Sequence, residues 1–272
     1  MPRGFVEFEL GCAAQKRVKH QGPGKMSITT EDELKKLREA GRIVAGALAA
    51  MSAAVRPGIT TAELDEIGGK YFAENGARSS PQLVYGFPGQ TCISVNDEVV
   101  HGVPRDRKLM AGDLVKLDVT AEKDGFHADA AVSVTVPPAD EVSLQLIQCA
   151  KQAFRAGAAA AHAGAHTRDV GGAVETEVKR YGFHVIRDLG GHGIGRTIHE
   201  APSMPNYAPP GPTPKLTEGL VLTIEPIIAA GTGDVNLGKD GWTMRTADGS
   251  LAAHYEHTLV ITKGEPMLLT VA

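Results

Sequence analysis

The sequence predicts an α+β fold made of two duplicated halves, in which helices cover an antiparallel sheet. Three observations lead to this prediction: a capped helix that occurs twice, an acid-bearing strand that occurs twice, and a hairpin signal between two strand-like segments. A chain of 272 residues with 42% hydrophobic residues can bury a substantial core, as one large domain or as two closely joined halves.

The helix repeat pairs residues 57–76 with residues 163–182 at a constant offset of 106, without gaps. Each copy has the pattern of a capped helix that ends at a glycine. The matched pairs include Gly58 with Gly164, Thr61 with Thr167, Glu63 with Asp169, Leu64 with Val170 and Gly76 with Gly182.

The strand repeat follows after a slip of one residue. The segment "GDLVKLDV" (112–119) aligns with "GLVLTIEP" (219–226), so that Asp118 matches Glu225. Two repeated blocks in the same order indicate duplicated halves, and binding sites tend to lie where such halves meet.

An earlier helix is predicted to begin after Thr30. Thr30 and Glu33 match a capping box, and apolar residues recur after them at helical spacing. Pro57 and Gly58 are expected to end this segment.

The first residues differ in composition from the rest of the chain. They are basic after Gly11 and close on "QGPGK" just before Met26. We therefore predict a flexible N-terminal extension at residues 1–26 and a single folded domain at residues 27–272.

Composition limits the partners and the compartment. The net charge of −4 and the pI near 6.2 give no basic footprint, which argues against direct nucleic-acid specificity. The cysteines, Cys12, Cys92 and Cys149, are odd in number and scattered, which argues against a disulfide framework. No apolar run is long enough to span a bilayer, and the N-terminus lacks the apolar core of a signal peptide. A cytoplasmic protein without a membrane partner is expected.

Two aspartates interrupt strand-like segments on either side of a hairpin signal. Asp124 and Gly125 form the dipeptide that most strongly favours a two-residue hairpin loop. With this loop, Asp118 pairs opposite Ala131, and Asp129 falls on the same face. The alternative is a solvent-facing pair of carboxylates on a sheet edge, but the small residues beside Asp129 do not suit an open face.

The second half repeats this arrangement. Glu225 interrupts an apolar strand pattern just before Pro226, and Glu256 interrupts another in "HYEHTLVIT". Burying four carboxylates requires raised pKa values or neutralising cations, so two divalent metals are expected. His192, in the glycine-rich stretch "LGGHGIGRTIHE", is the candidate imidazole ligand, held on a tightly turning glycine loop. A mobile loop that carries solvated imidazoles is the alternative for this stretch.

Four motifs in this order carry a resemblance to a known family: "LDVTAEKDGFHAD", "GGHGIGRTIHE", "LTIEP" and "YEHT". From about Ile28 to the C-terminus, the chain resembles the type I methionine aminopeptidases of the creatinase-like, pita-bread superfamily. The resemblance implies a pita-bread fold with pseudo-two-fold halves. It also implies one catalytic domain that removes the initiator methionine from nascent chains whose second residue is small.

The resemblance further implies the roles of the site residues. Two divalent ions, with cobalt, manganese, iron, zinc and nickel as candidates, would be bound with Asp129 and Glu256 bridging both. The implied metal ligands are Asp118, Asp129, His192, Glu225 and Glu256. A bridging water would attack the first peptide carbonyl, with Glu225 as general base. His199 would stabilise the scissile carbonyl, and His101 would contact the substrate backbone and assist the leaving amine.

The same resemblance places Phe87, Cys92 and Trp242 in the wall of the methionine pocket, which suits a flexible thioether. The sequence departs from the common family pattern at Val84 and Ile198, where aromatic residues are frequent. We expect the pocket to accept methionine, and we expect the tolerance for the second side chain of the substrate to differ from that of enzymes with the aromatic residues. The alternative for Val84, Ile198 and Trp242 is that they only pack in the core. The alternative for His101 is a structural role in the core or in a loop.

Two other functions remain open at this point. An aminopeptidase that cleaves before proline can share the fold, but such enzymes usually carry a further N-terminal domain. A binding protein that has lost its metal ligands can also share it, although all five ligand types are present here. The expected partners are nascent N-termini, in proximity to the ribosome, and the expected state is a monomer.

Overall fold

The structure is a computed structural model, and it describes residues 28–271. The predicted N-terminal extension lies outside the described residues. The helices are α1 (Glu31–Ala54), α2 (Thr61–Glu74), α3 (Ser80–Tyr85), α4 (Glu141–Ala160) and α5 (Thr167–Arg180). The strands are β1 (Arg78–Ser79), β2 (Cys92–Val95), β3 (Leu114–Lys123), β4 (Phe126–Thr135), β5 (His184–Val185), β6 (Gly190–Gly193), β7 (Glu200–Pro205), β8 (Val221–Ile224), β9 (Ile227–Ala229), β10 (Val235–Leu237), β11 (Met244–Thr246), β12 (Ala252–His254), β13 (Glu256–Val260) and β14 (Met267–Leu268).

The central sheet has nine strands and joins both halves of the chain. Its main order is β1-β3-β4-β13-β8-β6-β7, with β2 added to β3 and β14 to β13. Every pair in it is antiparallel. Two smaller sheets have the orders β12-β9-β5 and β10-β11. The halves are joined where β4 pairs with β13.

The duplicated helices have the predicted offset. α2 and α5 each contain 14 residues, and each begins 106 positions from its counterpart. Gly76 and Gly182 follow them with φ of 63° and 77°, a left-handed conformation that favours glycine. The side chain of Glu63 accepts the Thr60 amide at 2.8 Å in one copy, and Asp169 accepts the corresponding amide in the other. The helix repeat is therefore confirmed.

The predicted capping box of the first helix forms only in part. The Thr30 hydroxyl accepts the amide of Glu33 at 3.2 Å, as predicted. The Glu33 carboxylate, however, accepts the amide of Thr29 at 2.7 Å instead of the Thr30 amide. Thr29 is available because the chain enters the helix in an extended conformation. The helix ends at Ala54, ahead of the predicted stop at Pro57.

Each half buries its own hydrophobic cluster between a helix pair and the sheet. In the first half, α1 and α2 pack against β2, β3 and β4. In the second half, α4 and α5 pack against β8, β9, β12 and β13. This arrangement is the predicted helix layer over sheet, present twice. Within residues 28–271, no helix is both long and apolar enough to cross a membrane.

The predicted hairpin is confirmed with its register. Lys123 pairs with Phe126 across the loop, and Asp118 pairs with Ala131. Asp124 and Gly125 have φ of 51° and 82°, as a type I′ turn requires at both central positions.

Candidate active site

Three carboxylates converge because of strand register. Asp118 on β3 and Glu256 on β13 both pair with Ala131 of β4, one from each side. Directly opposed residues in antiparallel strands share a face, and Asp129, two positions before Ala131, shares it as well. Asp129 and Glu256 are only 6% and 1% exposed. One acid cluster therefore forms across the joint between the halves.

Glu225 reaches the same cluster from a break between two strands. β8 ends at Ile224 and β9 begins at Ile227, so Glu225 and Pro226 lie between them. Proline lacks the amide that a continued ladder needs, which explains the interruption. The Glu225 carboxylate lies 3.3 Å from the Thr223 hydroxyl and 3.7 Å from Nε2 of His192.

His192 lies on a strand, and the prediction of a tightly turning glycine loop around it was wrong. It belongs to β6, which pairs with β7 on one side and with β8 on the other. A Cβ at Gly191 would lie 2.4 Å from the Thr223 carbonyl oxygen, and one at Gly193 would lie 2.3 Å from that of Ala201. The glycines therefore allow close approach of neighbouring strands.

The donors fit a divalent cation site. Ligand atoms of two groups lie within 4.8 Å of one another: Asp129, His192 and Glu256 form one group, and Glu225, His254 and Glu256 form the other. Oδ1 of Asp129 and Oε1 of Glu256 are buried without a hydrogen-bond partner. Unpaired buried carboxylate oxygens are costly, and cations would satisfy them.

The electrostatics of the acids point the same way. Burial, with the nearby charge of Asp118, raises the pKa of Asp129 well above its usual range. Burial, with the charge of Asp129, does the same to Glu256. Burial also raises the pKa of Asp118, to about 6. In Glu225, burial raises the pKa, but the imidazoles of His254 and His192 outweigh it and lower the pKa overall. The four acids thus face mutual repulsion that bound cations would remove.

His101 is held against the cluster by unusual backbone geometry. Its φ is 56°, in the left-handed region that non-glycine residues rarely occupy. Its Nδ1 is buried and has no hydrogen-bond partner. Burial, together with the charges of His254 and His192, lowers its pKa, although Glu225 opposes this shift. Backbone strain of this kind, at a residue that lines a cavity, is typical of functional positions.

His199 lies between an imidazole and a phenol. Its ring centroid is 4.1 Å from that of His192 and 5.7 Å from that of Tyr85. Its Nδ1 lies 2.5 Å from the Tyr85 hydroxyl oxygen. The residue is partly exposed to solvent, yet many protein atoms surround its ring. This crowding, with the charges of His192 and His101, lowers its pKa well below the usual value.

All ten predicted site residues line one cavity of about 270 Å³. They are Phe87, Cys92, His101, Asp118, Asp129, His192, His199, Glu225, Trp242 and Glu256. Phe87 and Trp242 meet edge to face with centroids 5.2 Å apart and form an apolar end of this cavity. Ile198 lines the cavity too, but Val84 does not. Val84 is 44% exposed on α3, so its predicted place in the pocket wall was wrong.

Two residues close to the predicted site residues were missed at the level of sequence. Tyr85, the neighbour of Val84, lines the cavity in its place. His254 is 1% exposed, and its Nε2 lies 3.4 Å from Glu225 and 3.5 Å from Glu256 without a well-aligned hydrogen bond on either ring nitrogen. The sequence offered one signal for it, because His254 lies two positions before Glu256 in the segment "HYEHTLVIT", although the two residues belong to separate strands, β12 and β13.

Comparison with known proteins assigns the chain to a family. The model of metallopeptidase family M24 matches residues 35–263. The chain belongs to this family. This M24 metallopeptidase is 44% identical to methionine aminopeptidase 2 of Bacillus subtilis, over 90% of the chain and 99% of the relative. It is 41% identical to the methionine aminopeptidase of Clostridium perfringens, over 90% and 98% of the two chains.

Solved structures place the M24 metallopeptidase within one fold. The crystal structure of methionine aminopeptidase from Rickettsia prowazekii matches it with a TM-score of 0.87 and 36% identity, covering 91% of this chain and 100% of that one. A prolidase from Pyrococcus furiosus matches with a TM-score of 0.72 and 23% identity, covering 91% of this chain and 66% of that one. The second likeness shows the fold alone. The predicted pita-bread fold is confirmed, and the family with it.

Proposed function

We propose that this protein releases the N-terminal methionine from polypeptides whose second residue is small. One observation carries the proposal: four acids and an imidazole from both halves face a single cavity in a chain with 44% identity to a methionine aminopeptidase along nearly its whole length. Membership of a metallopeptidase family makes the reaction a metal-dependent hydrolysis.

The proposed metal ligands are Asp118, Asp129, His192, Glu225 and Glu256, with two divalent ions shared between them. The support is chemical: buried, partnerless carboxylate oxygens and raised carboxyl pKa values in Asp129 and Glu256 disfavour the site without cations. Cobalt, manganese, iron, zinc and nickel all suit a carboxylate site with one imidazole. When bound, such ions supply Lewis-acid activation of water and of the peptide carbonyl.

The chain's own groups then handle the protons. Glu225, whose lowered pKa keeps its carboxylate ionised, takes the proton of the attacking water. His199 donates from its free ring nitrogen to the carbonyl oxygen, where negative charge develops. His101, which lines the cavity, contacts the substrate backbone and assists proton transfer to the leaving amine.

The methionine side chain is proposed to enter the apolar end of the cavity. Phe87, Cys92 and Trp242 offer it aromatic faces and a buried thiol, and sulfur to ring contacts are favourable by about 0.3–1.5 kcal/mol. The substrates would be nascent chains in the cytoplasm, close to the ribosome. All lining side chains come from one chain, so a monomer would suffice.

A peptide assay tests the function. Methionine release from Met-Ala-Ser is measured for protein loaded with manganese, for the same protein after chelation, and for Asp118→Ala, with bound metal quantified in each sample. We expect the manganese-loaded wild type to release methionine and the chelated protein and Asp118→Ala to release little or none. We also expect Asp118→Ala to bind less metal than the wild type. Asp106→Ala is the matched control, because Asp106 is exposed and does not line the cavity. Full activity and full metal content in Asp118→Ala would contradict the proposed site.

The alternatives are tested in the same assay. Cleavage of Ala-Pro but not of Met-Ala would favour the proline-directed enzyme, which the comparisons do not favour. Metal binding without methionine or alanine release from either peptide would favour a binding protein. The presence of all five ligand types argues against that function.

A further inference from the structure

We propose that Tyr85 is a positioning residue that fixes the tautomer of His199, so that Nε2 of the imidazole carries the proton. This inference rests on the proposed function for its consequence in catalysis, but the tautomer itself can be measured without any substrate. The juxtaposition behind it is the contact of 2.5 Å between the Tyr85 hydroxyl and Nδ1 of His199.

Local structure fixes the phenol at the cavity. Tyr85 is the last residue of α3, which the Ser79 side chain caps and which Pro81 helps to begin. Gly86 ends the helix in the left-handed conformation with φ of 70°. The capped start and the glycine at the end fix the position of this short helix, and the ring of its last residue, Tyr85, lines the cavity.

His199 comes from a distant part of the chain, 114 positions away. Its carbonyl oxygen accepts the Thr197 hydroxyl at 2.9 Å, and the strand β7 begins at the next residue. Its ring is also packed against that of His192. These contacts hold the ring so that Nδ1 meets the phenol.

The hydrogen-bonding capacities of the two groups decide which nitrogen carries the proton. A neutral imidazole has one N–H donor and one bare acceptor nitrogen. Within residues 28–271, the Tyr85 hydroxyl has His199 Nδ1 as its hydrogen-bond partner and no other. The hydroxyl can donate its proton in a hydrogen bond to Nδ1 only when Nδ1 is unprotonated and acts as the acceptor. Nε2 then carries the proton and has no protein partner in the described part of the chain.

The consequence for the proposed reaction is a donor in the right place. The oxygen of the scissile carbonyl gains negative charge in the reaction and is stabilised by an N–H donor. An unprotonated Nε2 would instead direct a lone pair towards that oxygen and repel it. Tyr85 would thus exclude the unproductive tautomer before substrate arrives. A third group that orients a catalytic imidazole in this way is a known device for fixing a tautomer.

Ring nitrogen NMR of the zinc-loaded protein tests the inference directly. With ¹⁵N-labelled histidine, we expect His199 in the wild type to show a proton bonded to Nε2 and a bare, hydrogen-bonded Nδ1. In Tyr85→Phe, which keeps the ring and removes only the hydroxyl, we expect a mixture of both tautomers. Tyr71→Phe, the same change at a phenol that does not line the cavity, should leave the His199 signals unchanged. A proton on Nδ1 in the wild type, or an unaltered tautomer in Tyr85→Phe, would overturn the proposal.

Kinetics on Met-Ala-Ser provide the second readout. Tyr85→Phe should lower kcat by about tenfold with little change in KM, because ground-state binding does not use the N–H that the transition state needs. An unchanged kcat together with a changed tautomer would refute the catalytic consequence. If no variant and no wild-type sample releases methionine, the proposed function fails, while the NMR result still decides the tautomer.

Discussion

Asp118 of the first half and Glu256 of the second half flank the same residue, Ala131, on the two neighbouring strands. This register places two acids on one face across the joint between the halves, with the third, Asp129, one step along the same strand face. A slip of one residue in either pairing would turn an acid to the opposite face. The carboxylate cluster is therefore a property of strand register, and the small side chain of Ala131 leaves space between the acids.

Metal-free protein should respond to pH through Asp129. A carboxyl whose pKa is raised on folding keeps its proton longer in the folded state, so it lowers the free energy of unfolding as pH rises above the unfolded value near 4. We expect Asp129→Asn to become increasingly more stable than the wild type as pH rises above the unfolded value. Chemical denaturation of both proteins in chelator measures this difference, which includes the relief of Glu256, because the charge of Asp129 raises the pKa of that carboxyl as well.

Addition of a divalent metal should reverse that ranking. Manganese should stabilise the wild type more strongly at higher pH, because ligands bind as carboxylates, and it should stabilise Asp129→Asn much less. Asp106→Asn, at an exposed position, should follow the wild type in both conditions. A wild type that remains less stable than Asp129→Asn with saturating metal would contradict the role of Asp129.

His199→Ala should lose activity and keep its metal. We expect kcat for Met-Ala-Ser to fall by roughly 10²–10³-fold, the usual effect of removing one donor to a developing negative charge. The metal content should not change, because His199 is not one of the five proposed metal ligands and its Nδ1 contacts the Tyr85 hydroxyl. Steady-state kinetics and metal analysis of one sample check both statements, with the exposed His162→Ala as control. A large loss of metal would instead make His199 a ligand.

His254→Phe should weaken metal binding. The substitution keeps a ring in the buried space beside Glu225 and Glu256 and removes both nitrogens. We expect the affinity for divalent metal to fall by about 10–100-fold, as when partners of ligating groups are lost. Isothermal titration calorimetry measures this affinity, and the exposed His184→Phe should behave as the wild type. Equal affinities in the two variants would assign His254 to packing alone.

Gly191→Ala should damage the fold at the point where three strands meet. The added methyl would lie 2.4 Å from the backbone carbonyl of Thr223 on β8. We expect a loss of about 1–3 kcal/mol in the free energy of unfolding, with weaker metal binding because His192 follows directly. Gly264→Ala, where the added methyl meets nothing within 4 Å, is the matched control. Equal stability of the two variants in urea denaturation would show that β6 can move away from β8.

Ile198→Phe should change the preference for the second residue of the substrate. Ile198 lines the cavity, so an aromatic ring there would crowd the side chain that follows methionine. We expect kcat/KM for Met-Val peptides to fall about tenfold relative to Met-Ala, within the range for small steric differences in a pocket. Val84→Phe, at an exposed position outside the cavity, should leave the ratio unchanged. Identical ratios in all three proteins would assign Ile198 to packing.

The sequence by itself determined the elements whose causes are local. The Asp124–Gly125 turn and the period of two along a strand were enough to predict the pairing of Asp118 with Ala131, because a two-residue loop leaves one register. The duplicated helices were equally readable, since their caps and terminal glycines lie within single segments.

Only the tertiary structure decided what the glycines beside His192 do and which side chains surround the acids. The same glycines suit a turning loop and a crowded strand, and the choice depends on carbonyl groups of β7 and β8 that are distant in sequence. Tyr85 contacts His199, which lies 114 positions away in the sequence. Nε2 of His254 lies 3.4 Å from Glu225, which is positioned by the break between β8 and β9. Such contacts arise from the packing of whole layers, and no local pattern encodes the distance between two side chains that different strands and helices deliver.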